Sequence, residues 1–217
     1  MQRFDIINLL IAKYGYNKYL EIGVEDGHSL HSVKCGLVHG VDPASNKATF
    51  KETSDDYFAR IPKDYKYDII FVDGLHVSDQ VHRDIVNSLE HLSDNGIIVV
   101  HDCNPPSSWH ARSYEEAKKN GCRQWNGDVW RAIVKARVRD DLEVYTVNTD
   151  WGCGLIRPLP VESDYEPLVI NVEELDDPSV EEGKELDIFK LGYESFEQNR
   201  KEFLNLISVD DFKKRYL

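Results

Sequence analysis

The sequence has no long apolar segment. None of its apolar stretches approaches the roughly 20 residues that a helix needs to span a membrane. Residues 1–16 instead place apolar side chains at helical spacing with charged residues between them, which is typical of an amphipathic helix and unlike a signal peptide. We therefore expect a cytoplasmic protein with no membrane partner.

Basic residues are also scarce. The 217 residues include 26 Lys and Arg against 39 Asp and Glu, a net charge of −13, and the basic residues form no cluster. Such a chain is a poor candidate for nucleic-acid binding, which relies on basic surfaces. Residues 161–187 hold 11 of the acids and one lysine. This composition favours a solvated surface segment over an acidic docking element.

Two common motifs are missing. The four cysteines, at positions 35, 103, 122 and 153, form no CxxC pair, so we expect reduced thiols rather than a zinc site or a disulfide framework. The GxGxxG motif of dinucleotide-binding proteins is absent as well. A dinucleotide-dependent oxidoreductase is therefore only a weak alternative.

The most informative segment that is present covers residues 18–42. An apolar run passes through Glu21 into a glycine turn from Gly23 to Gly27, and Ser29 follows where a helix would begin. A second apolar run ends at Asp42. This pattern predicts a strand, a glycine loop, a helix and a second strand, with an acid placed to accept both hydroxyls of a ribose.

The loop also indicates the kind of nucleoside. Its acids, Glu25 and Asp26, would repel a pyrophosphate but tolerate a cation. S-adenosylmethionine carries a sulfonium and an ammonium group and no phosphate, so the loop favours this cofactor. Backbone N–H groups near Gly27 and Ser29 would hold its carboxylate at the helix start.

The rest of the chain predicts an α/β fold. Nearly continuous apolar runs at 67–74 and 96–103 indicate strands covered on both faces, with a helical stripe between them. We predict a doubly wound, mostly parallel, Rossmann-like sheet of seven strands, the third at 47–52, closed by an antiparallel edge hairpin within 142–158. The domain covers residues 1–159, and residues 160–217 form an acidic and helical C-terminal extension that packs on it.

Two acids end neighbouring strands in this prediction. Asp73 follows the fourth strand and Asp102 the fifth, so both reach the carboxyl edge of the sheet, where such folds bind ligands. Paired carboxylates repel unless one is protonated or a cation lies between them. Mg²⁺ is the natural candidate. His76, three residues after Asp73, suits a general base or a ligand.

A long connection, residues 103–130, follows the fifth strand. It carries Trp109, His110 and Arg112, which we predict to contact the acceptor, because aromatic rings stack on sugars and aromatic compounds.

These motifs resemble a known family. EIGVEDG, GVDP and YDIIFVDGLH resemble the class I S-adenosylmethionine-dependent methyltransferases, and residues 71–106 are similar to bacterial small-molecule O-methyltransferases, including macrolide-sugar and cephalosporin-hydroxylase-like members. The resemblance implies the strand order 3-2-1-4-5-7-6. It also implies the cofactor-binding residues, which are Glu21, Gly23, Gly27, Ser29, Asp42, Ser54, Asp55 and Asp73.

The resemblance also bears on catalysis. Metal-dependent members of the subgroup often carry two consecutive acids after the fifth strand, and this chain has His101-Asp102 there. The predicted metal ligands are Asp73, His101 and Asp102, for Mg²⁺ or, with the histidine, Mn²⁺, Fe²⁺ or Zn²⁺. Asp73, His76 and Asp102 are the predicted catalytic residues. A metal-free site remains open.

The sequence thus predicts a methyltransferase acting on a hydroxyl of a small molecule, such as a sugar or a secondary metabolite. Two alternatives remain: a metal-independent N-methyltransferase and a non-catalytic adenosyl-binding regulatory module. The C-terminal extension would cover the acceptor pocket, form a homodimer contact or, as we expect, pack on the sheet.

Overall fold

The computed structural model describes residues 1–121, 124–181 and 183–217. In these residues seven strands form one sheet, with the order β2-β1-β3-β4-β6-β5-β7. The strands are β1 (Lys18–Ile22), β2 (Leu37–Val41), β3 (Tyr67–Val72), β4 (Leu92–Val100), β5 (Leu142–Val147), β6 (Cys153–Pro158) and β7 (Leu206–Ile207).

The same residues form eight α-helices, packed on both faces of the sheet. They are α1 (Arg3–Tyr14), α2 (His28–Ser32), α3 (Ser54–Arg60), α4 (Ser78–Glu90), α5 (Tyr114–Asn120), α6 (Val129–Arg137), α7 (Tyr193–Phe203) and α8 (Val209–Tyr216). None of the described helices is long and apolar enough to cross a membrane.

The fold class is confirmed. Strands β1 to β4 run parallel, and β6 pairs antiparallel with both β4 and β5, which gives the predicted edge hairpin. The order of these six strands is the predicted one. Every residue from Ile69 to Val72 in β3 and from Gly96 to Val100 in β4 is buried. Burial on both faces is what their continuous apolar sequence predicts.

The two outer positions of the sheet differ from the prediction. Residues 47–52 do not form the third strand, because only a single bridge joins Phe50 to Val41. The seventh strand comes instead from the C-terminal extension, where Leu206 and Ile207 pair in parallel with the end of β5. The extension therefore completes the far edge of the same sheet.

The extension also contributes to the core. Phe196 of α7 stacks on Trp130 of α6 with ring centroids 4.4 Å apart, and Phe212 and Tyr216 of α8 are fully buried. This packing agrees with the expected role of residues 160–217, although the domain boundary at residue 159 stays a prediction. Of the described cysteines, Cys35, Cys103 and Cys153 are free, and Cys122 lies outside the described residues.

Candidate active site

A cavity of about 1020 Å³ opens at the carboxyl edge of β1 to β4. Its walls come from the segments that follow these four strands, from the start of α3 and from α4. The predicted residues among those that line it are Glu21, Gly23, Ser29, Asp42, Ser54, Asp55, Asp73, His76, His101 and Asp102. Most of the predicted site is therefore brought to one place.

The glycine loop has a structural reason for its glycines. Gly23 has a φ of 85°, and a Cβ there would lie 2.1 Å from the carbonyl oxygen of Asp73. Gly27 has a φ of 81°, and a Cβ would meet the ring of His31 at 2.8 Å. Gly23 thus lets the loop touch the end of β3, and Gly27, which is not part of the cavity lining, starts the short helix α2.

Asp42 holds the loop together. Its Oδ2 atom accepts the N–H groups of Val24 (2.9 Å) and Glu25 (3.0 Å). Its Oδ1 atom accepts those of Ala44 (2.7 Å) and Ser45 (2.8 Å). Burial raises the pKa of Asp42, but these four bonds outweigh it and hold the pKa below its ordinary value. Each oxygen already accepts two bonds, so a ribose would share them, and the ribose role stays a prediction.

Glu21 is a buried acid at the methionine end of the predicted cofactor site. It is 1% exposed, and the hydroxyl of Tyr19 donates a hydrogen bond to it. Burial raises the pKa of Glu21 to about 8, against the opposing effect of the Tyr19 bond. Near neutral pH this acid is therefore ready to lose a proton when a cation approaches.

Ser54 and Asp55 lie at the start of α3, where Thr53 caps the helix. The hydroxyl of Ser54 donates to Asp84 of α4 at 2.6 Å. Asp55 is half-exposed and lies 3.6 Å from the Nε atom of Arg83. Both predicted residues therefore reach the cavity, next to an acid that the prediction does not include.

The acids and imidazoles of the predicted catalytic group meet at the other end of the cavity. The Nε2 atom of His76 lies 3.5 Å from Asp73 Oδ1 and 3.3 Å from Asp102 Oδ2. The Nδ1 atom of His101 lies 3.2 Å from the same two oxygens. Asp102 adopts a φ of 59°, a conformation uncommon outside glycine and concentrated at functional sites. We refer to Asp73, His76, His101 and Asp102 as the acid–imidazole cluster.

The two histidines present different nitrogens to this cluster. His76 places Nδ1 2.9 Å from the carbonyl oxygen of Trp125, so in the neutral ring this nitrogen carries the proton and Nε2 faces the acids with a lone pair. His101 faces the acids with Nδ1, and its Nε2 lies 3.1 Å from a guanidinium nitrogen of Arg3. A guanidinium can only donate, so Nε2 of the neutral His101 ring accepts and its Nδ1 carries the proton that faces the acids. The geometry therefore favours His76 over the predicted His101 as a ligand.

Charge within the cluster shifts its protonation. Burial lowers the pKa of His76, but the hydrogen bond to Asp73 and the negative charges of Asp102 and Asp73 outweigh it and raise the pKa to about 9. Burial raises the pKa of Asp73, but the charge and hydrogen bond of His101 hold it well below its ordinary value. The histidines and acids thus stabilise each other's charged forms.

Arg3 enters the site from the N-terminal helix. Its guanidinium bonds to Asp150 Oδ2 at 2.9 Å, and its Nε lies 3.5 Å from Asp73 Oδ2. Asp150 belongs to the turn between β5 and β6, together with Trp151, and both residues have positive φ. Arg3 and Trp151 also line the cavity.

The predicted acceptor residues lie elsewhere. Trp109, His110 and Arg112 are not among the residues that line the cavity. Arg112 turns into its own loop, where it donates to the carbonyl oxygen of Trp109 and stacks on that ring at 4.2 Å. The ring of His110 packs on Trp151, and its carbonyl oxygen accepts the N–H of Asn126. These side chains and carbonyls therefore organise the loop.

The residues that do face the cavity on this side are Leu75, Gln124, Trp125, Asn126 and Trp151. Asn126 donates to Asp102 Oδ1 at 2.6 Å, and the rings of Trp125 and His76 lie 5.3 Å apart. Leu75 and Trp151 remain 44% and 39% exposed, so this wall of the cavity combines apolar and aromatic side chains with two amides and is open to solvent.

Comparison with known families agrees with this geometry. Residues 38–103, which run from β2 to the end of β4, match a family model described as a methyltransferase domain. The match covers Asp42, Asp73 and the acid–imidazole cluster, so the predicted resemblance is confirmed.

Solved methyltransferase structures share the fold of this chain. The chain is similar to the methyltransferase PaMTH1 of Podospora anserina, solved with S-adenosylhomocysteine, at 16% identity and a TM-score of 0.52, over 73% of this chain and 78% of that chain. It is similar to a putative caffeoyl-CoA O-methyltransferase of Staphylococcus aureus, at 17% identity and a TM-score of 0.50, over 70% of this chain and 81% of that chain. It is also similar to the O-methyltransferase TomG of Streptomyces achromogenes, which is involved in tomaymycin synthesis and was solved with S-adenosylmethionine. The identity is 14% and the TM-score 0.50, over 73% of this chain and 80% of that chain. Curated proteins gave no match.

Proposed function

We propose that the chain transfers the methyl group of S-adenosylmethionine to a hydroxyl of a small molecule. The observation that supports this most directly is the position of the acid–imidazole cluster. It lies in the same cavity as the glycine loop, beside the open wall formed by Leu75, Trp125 and Trp151. A cofactor bound along the loop would then present its methyl group next to groups able to take a proton.

The cavity residues fit the cofactor. Its charged methionine end would lie beside Glu21 and the start of α2, and its adenosine would extend past Asp42 towards Ser54. Glu21 supplies a carboxylate for the ammonium group. The loop acids Glu25 and Asp26 also line the cavity, which favours a cationic cofactor over a pyrophosphate.

Methyl transfer needs alignment and a proton acceptor. The sulfonium activates the donor, so the protein must hold the acceptor oxygen in line with the carbon–sulfur bond. The hydroxyl must also lose its proton, because the neutral oxygen is a weak nucleophile. We assign proton acceptance to the neutral form of His76, whose Nε2 lies between Asp73 and Asp102. Because the pKa of His76 is raised to about 9, this form grows as the pH rises above neutral, and transfer should become faster there.

The same three residues fit a divalent cation. One ligand atom from each of Asp73, His76 and Asp102 lies within 4.8 Å of the others, and carboxylates with an imidazole suit Mg²⁺ or Mn²⁺. A bound cation would lower the pKa of the acceptor hydroxyl. Asp73, His76 and Asp102 would then hold the ion, and His101, 3.2 Å from both acids, would keep them oriented.

The open wall supports a sugar or a secondary metabolite as the acceptor. Trp125 and Trp151 offer aromatic faces, on which sugar and aromatic rings stack, and Gln124 and Asn126 add amide groups. The net charge of −13 makes nucleic acid a poor substrate. A small-molecule acceptor in the cytoplasm therefore fits best.

Calorimetry with S-adenosylhomocysteine, followed by methyl transfer to a panel of sugars and phenols with and without EDTA, tests the proposal. We expect micromolar binding and methylation of hydroxyls. Transfer to amines only, unaffected by EDTA, would favour the N-methyltransferase. Binding without turnover on any acceptor would favour the regulatory module. Absence of cofactor binding would refute the proposal.

A further inference from the structure

Asp84 is an acid on the buried face of a helix. It lies on α4 between Val81 and Ile85, which belong to the apolar core, and it is 1% exposed. It also lines the cavity, together with Ser54, to which it is bonded. Because an ionised carboxylate is costly to bury, a position of this kind calls for a partner.

Only one of its two oxygens has partners. Oδ1 accepts the hydroxyl of Ser54 at 2.6 Å and the side-chain N–H of Gln80 at 3.1 Å. Across the described residues, Oδ2 accepts no hydrogen bond that the structure shows, yet it is not among the fully enclosed polar atoms without a partner. Oδ2 is therefore an acceptor with a small exposed surface, on a residue of the cavity wall.

Asp84 forms no ion pair with the residues that the structure describes. Among the described residues no basic side chain lies within ion-pair distance of Asp84, and the adjacent Arg83 lies near Asp55 instead. Burial raises the pKa of Asp84 to about 6, although Ser54 and Gln80 partly offset the shift. The carboxylate is thus held ionised at neutral pH without an ion pair, which suits a hydrogen bond from a ligand.

We propose that Asp84 recognises the exocyclic amine of the adenine ring through Oδ2. The inference rests on the proposed function, in which Ser54 lies at the adenine end, and Ser54 is bonded directly to Asp84. An amine donates to a carboxylate, whereas the keto oxygen of hypoxanthine in the same place would be repelled. Asp84 is therefore a specificity-determining residue for adenosyl over inosyl cofactors.

The fixed partners of Oδ1 make the amide variant predictable. In Asp84→Asn we expect the carbonyl oxygen to take the place of Oδ1, because Gln80, whose own Oε1 accepts from Arg83, presents a donor there. The amide N–H₂ then faces the cavity, where it meets the adenine amine as donor against donor. The same N–H₂ would donate to a keto oxygen, so the variant should reverse the preference.

Calorimetry with S-adenosylhomocysteine and S-inosylhomocysteine tests this. We expect the wild type to bind the adenosyl compound at least about tenfold more tightly, as for a hydrogen bond to a charged group. Asp84→Asn should lose about tenfold or more of that affinity and bind the inosyl compound as tightly or better. Asp79→Asn, an acid on the same helix outside the cavity lining, should match the wild type.

A second variant keeps the proposal testable if Asp84→Asn does not fold. Asp84→Ala removes the carboxylate and places neither a donor nor an acceptor there, so it should lose adenosyl affinity without gaining inosyl affinity. An unchanged adenosyl-to-inosyl ratio in either folded variant would overturn the role of Asp84 alone. A wild type that binds neither compound would overturn the proposed function, and this inference with it.

Discussion

The Nε2 atom of His76 lies 3.3 Å from the Oδ2 atom of Asp102. Its other ring nitrogen is held 2.9 Å from the carbonyl oxygen of Trp125, which fixes the orientation of the ring. A lone pair on Nε2 therefore points to the place where an acceptor hydroxyl would meet the two acids, the arrangement that a general base or a cation ligand needs.

Substitution of His76 should separate chemistry from binding. We expect His76→Ala to lower kcat by about 10²- to 10⁴-fold, the usual contribution of a positioned proton acceptor. The Kd of S-adenosylhomocysteine should not change. His82→Ala, on α4 and outside the cavity lining, serves as the control in steady-state kinetics and calorimetry. Full activity of His76→Ala would remove the residue from the mechanism.

Arg3 should oppose metal binding, because its guanidinium lies beside Asp73 and Asp150. We expect Arg3→Met to tighten Mn²⁺ binding, measured by electron paramagnetic resonance, since the acids then lack this cation. The free energy of unfolding in urea should fall by about 1–3 kcal/mol, because Asp150 loses a buried partner. Arg60→Met, which breaks a surface pair with Glu52, should change the free energy of unfolding much less and leave Mn²⁺ affinity unchanged.

Alanine substitutions at three glycines should distinguish the stability cost of a positive φ from that of a steric clash. Gly23→Ala adds a Cβ 2.1 Å from a backbone oxygen at a positive φ, and it should cost more than about 3 kcal/mol of stability or prevent folding. Gly15 also has a positive φ, but an added Cβ would meet no atom within 4 Å. Gly15→Ala should therefore lower the free energy of unfolding by about 1 kcal/mol. Gly74→Ala meets nothing closer than 3.6 Å and should be nearly neutral. Equal effects at Gly15 and Gly23, by urea unfolding, would contradict the collision.

Much of the fold could be predicted because its central strands are buried on both faces. Continuous apolar runs located β3 and β4, and the acids that follow them, Asp73 and Asp102, were placed correctly at one edge. The outer strands could not be predicted in the same way. A two-residue strand such as β7 has no periodicity, and the bridge at Phe50 depends on the fold of its neighbours.

Residues of the candidate site that follow directly on a strand were predicted from the sequence. Residues that packing between distant segments brings to the cavity were missed. Arg3 lies on the first turn of a helix and looks like any solvated charge in the sequence. Asp84 could have been found, because it interrupts the apolar stripe of α4 between Val81 and Ile85. The loop that carries Trp109 and Arg112 has no period, so nothing indicated that Arg112 would turn towards its own backbone.

Glu21 should make stability and cofactor binding depend on pH. Its ordinary pKa of 4.5 is raised by burial to about 8, so the protonated form favours the folded state. Its contribution is complete below pH 4.5 and is lost as the pH rises through 8, by an amount on the order of 3–5 kcal/mol at most. In urea unfolding between pH 5 and 9, Glu21→Gln should remove this decline, while the exposed-acid variant Glu90→Gln keeps it.

Binding of an ammonium group beside Glu21 should favour the ionised form of this acid. Calorimetry of S-adenosylhomocysteine in buffers of different ionisation enthalpy should therefore show proton release at pH 7 in the wild type and less in Glu21→Gln. Equal release in both proteins would place the ammonium group elsewhere.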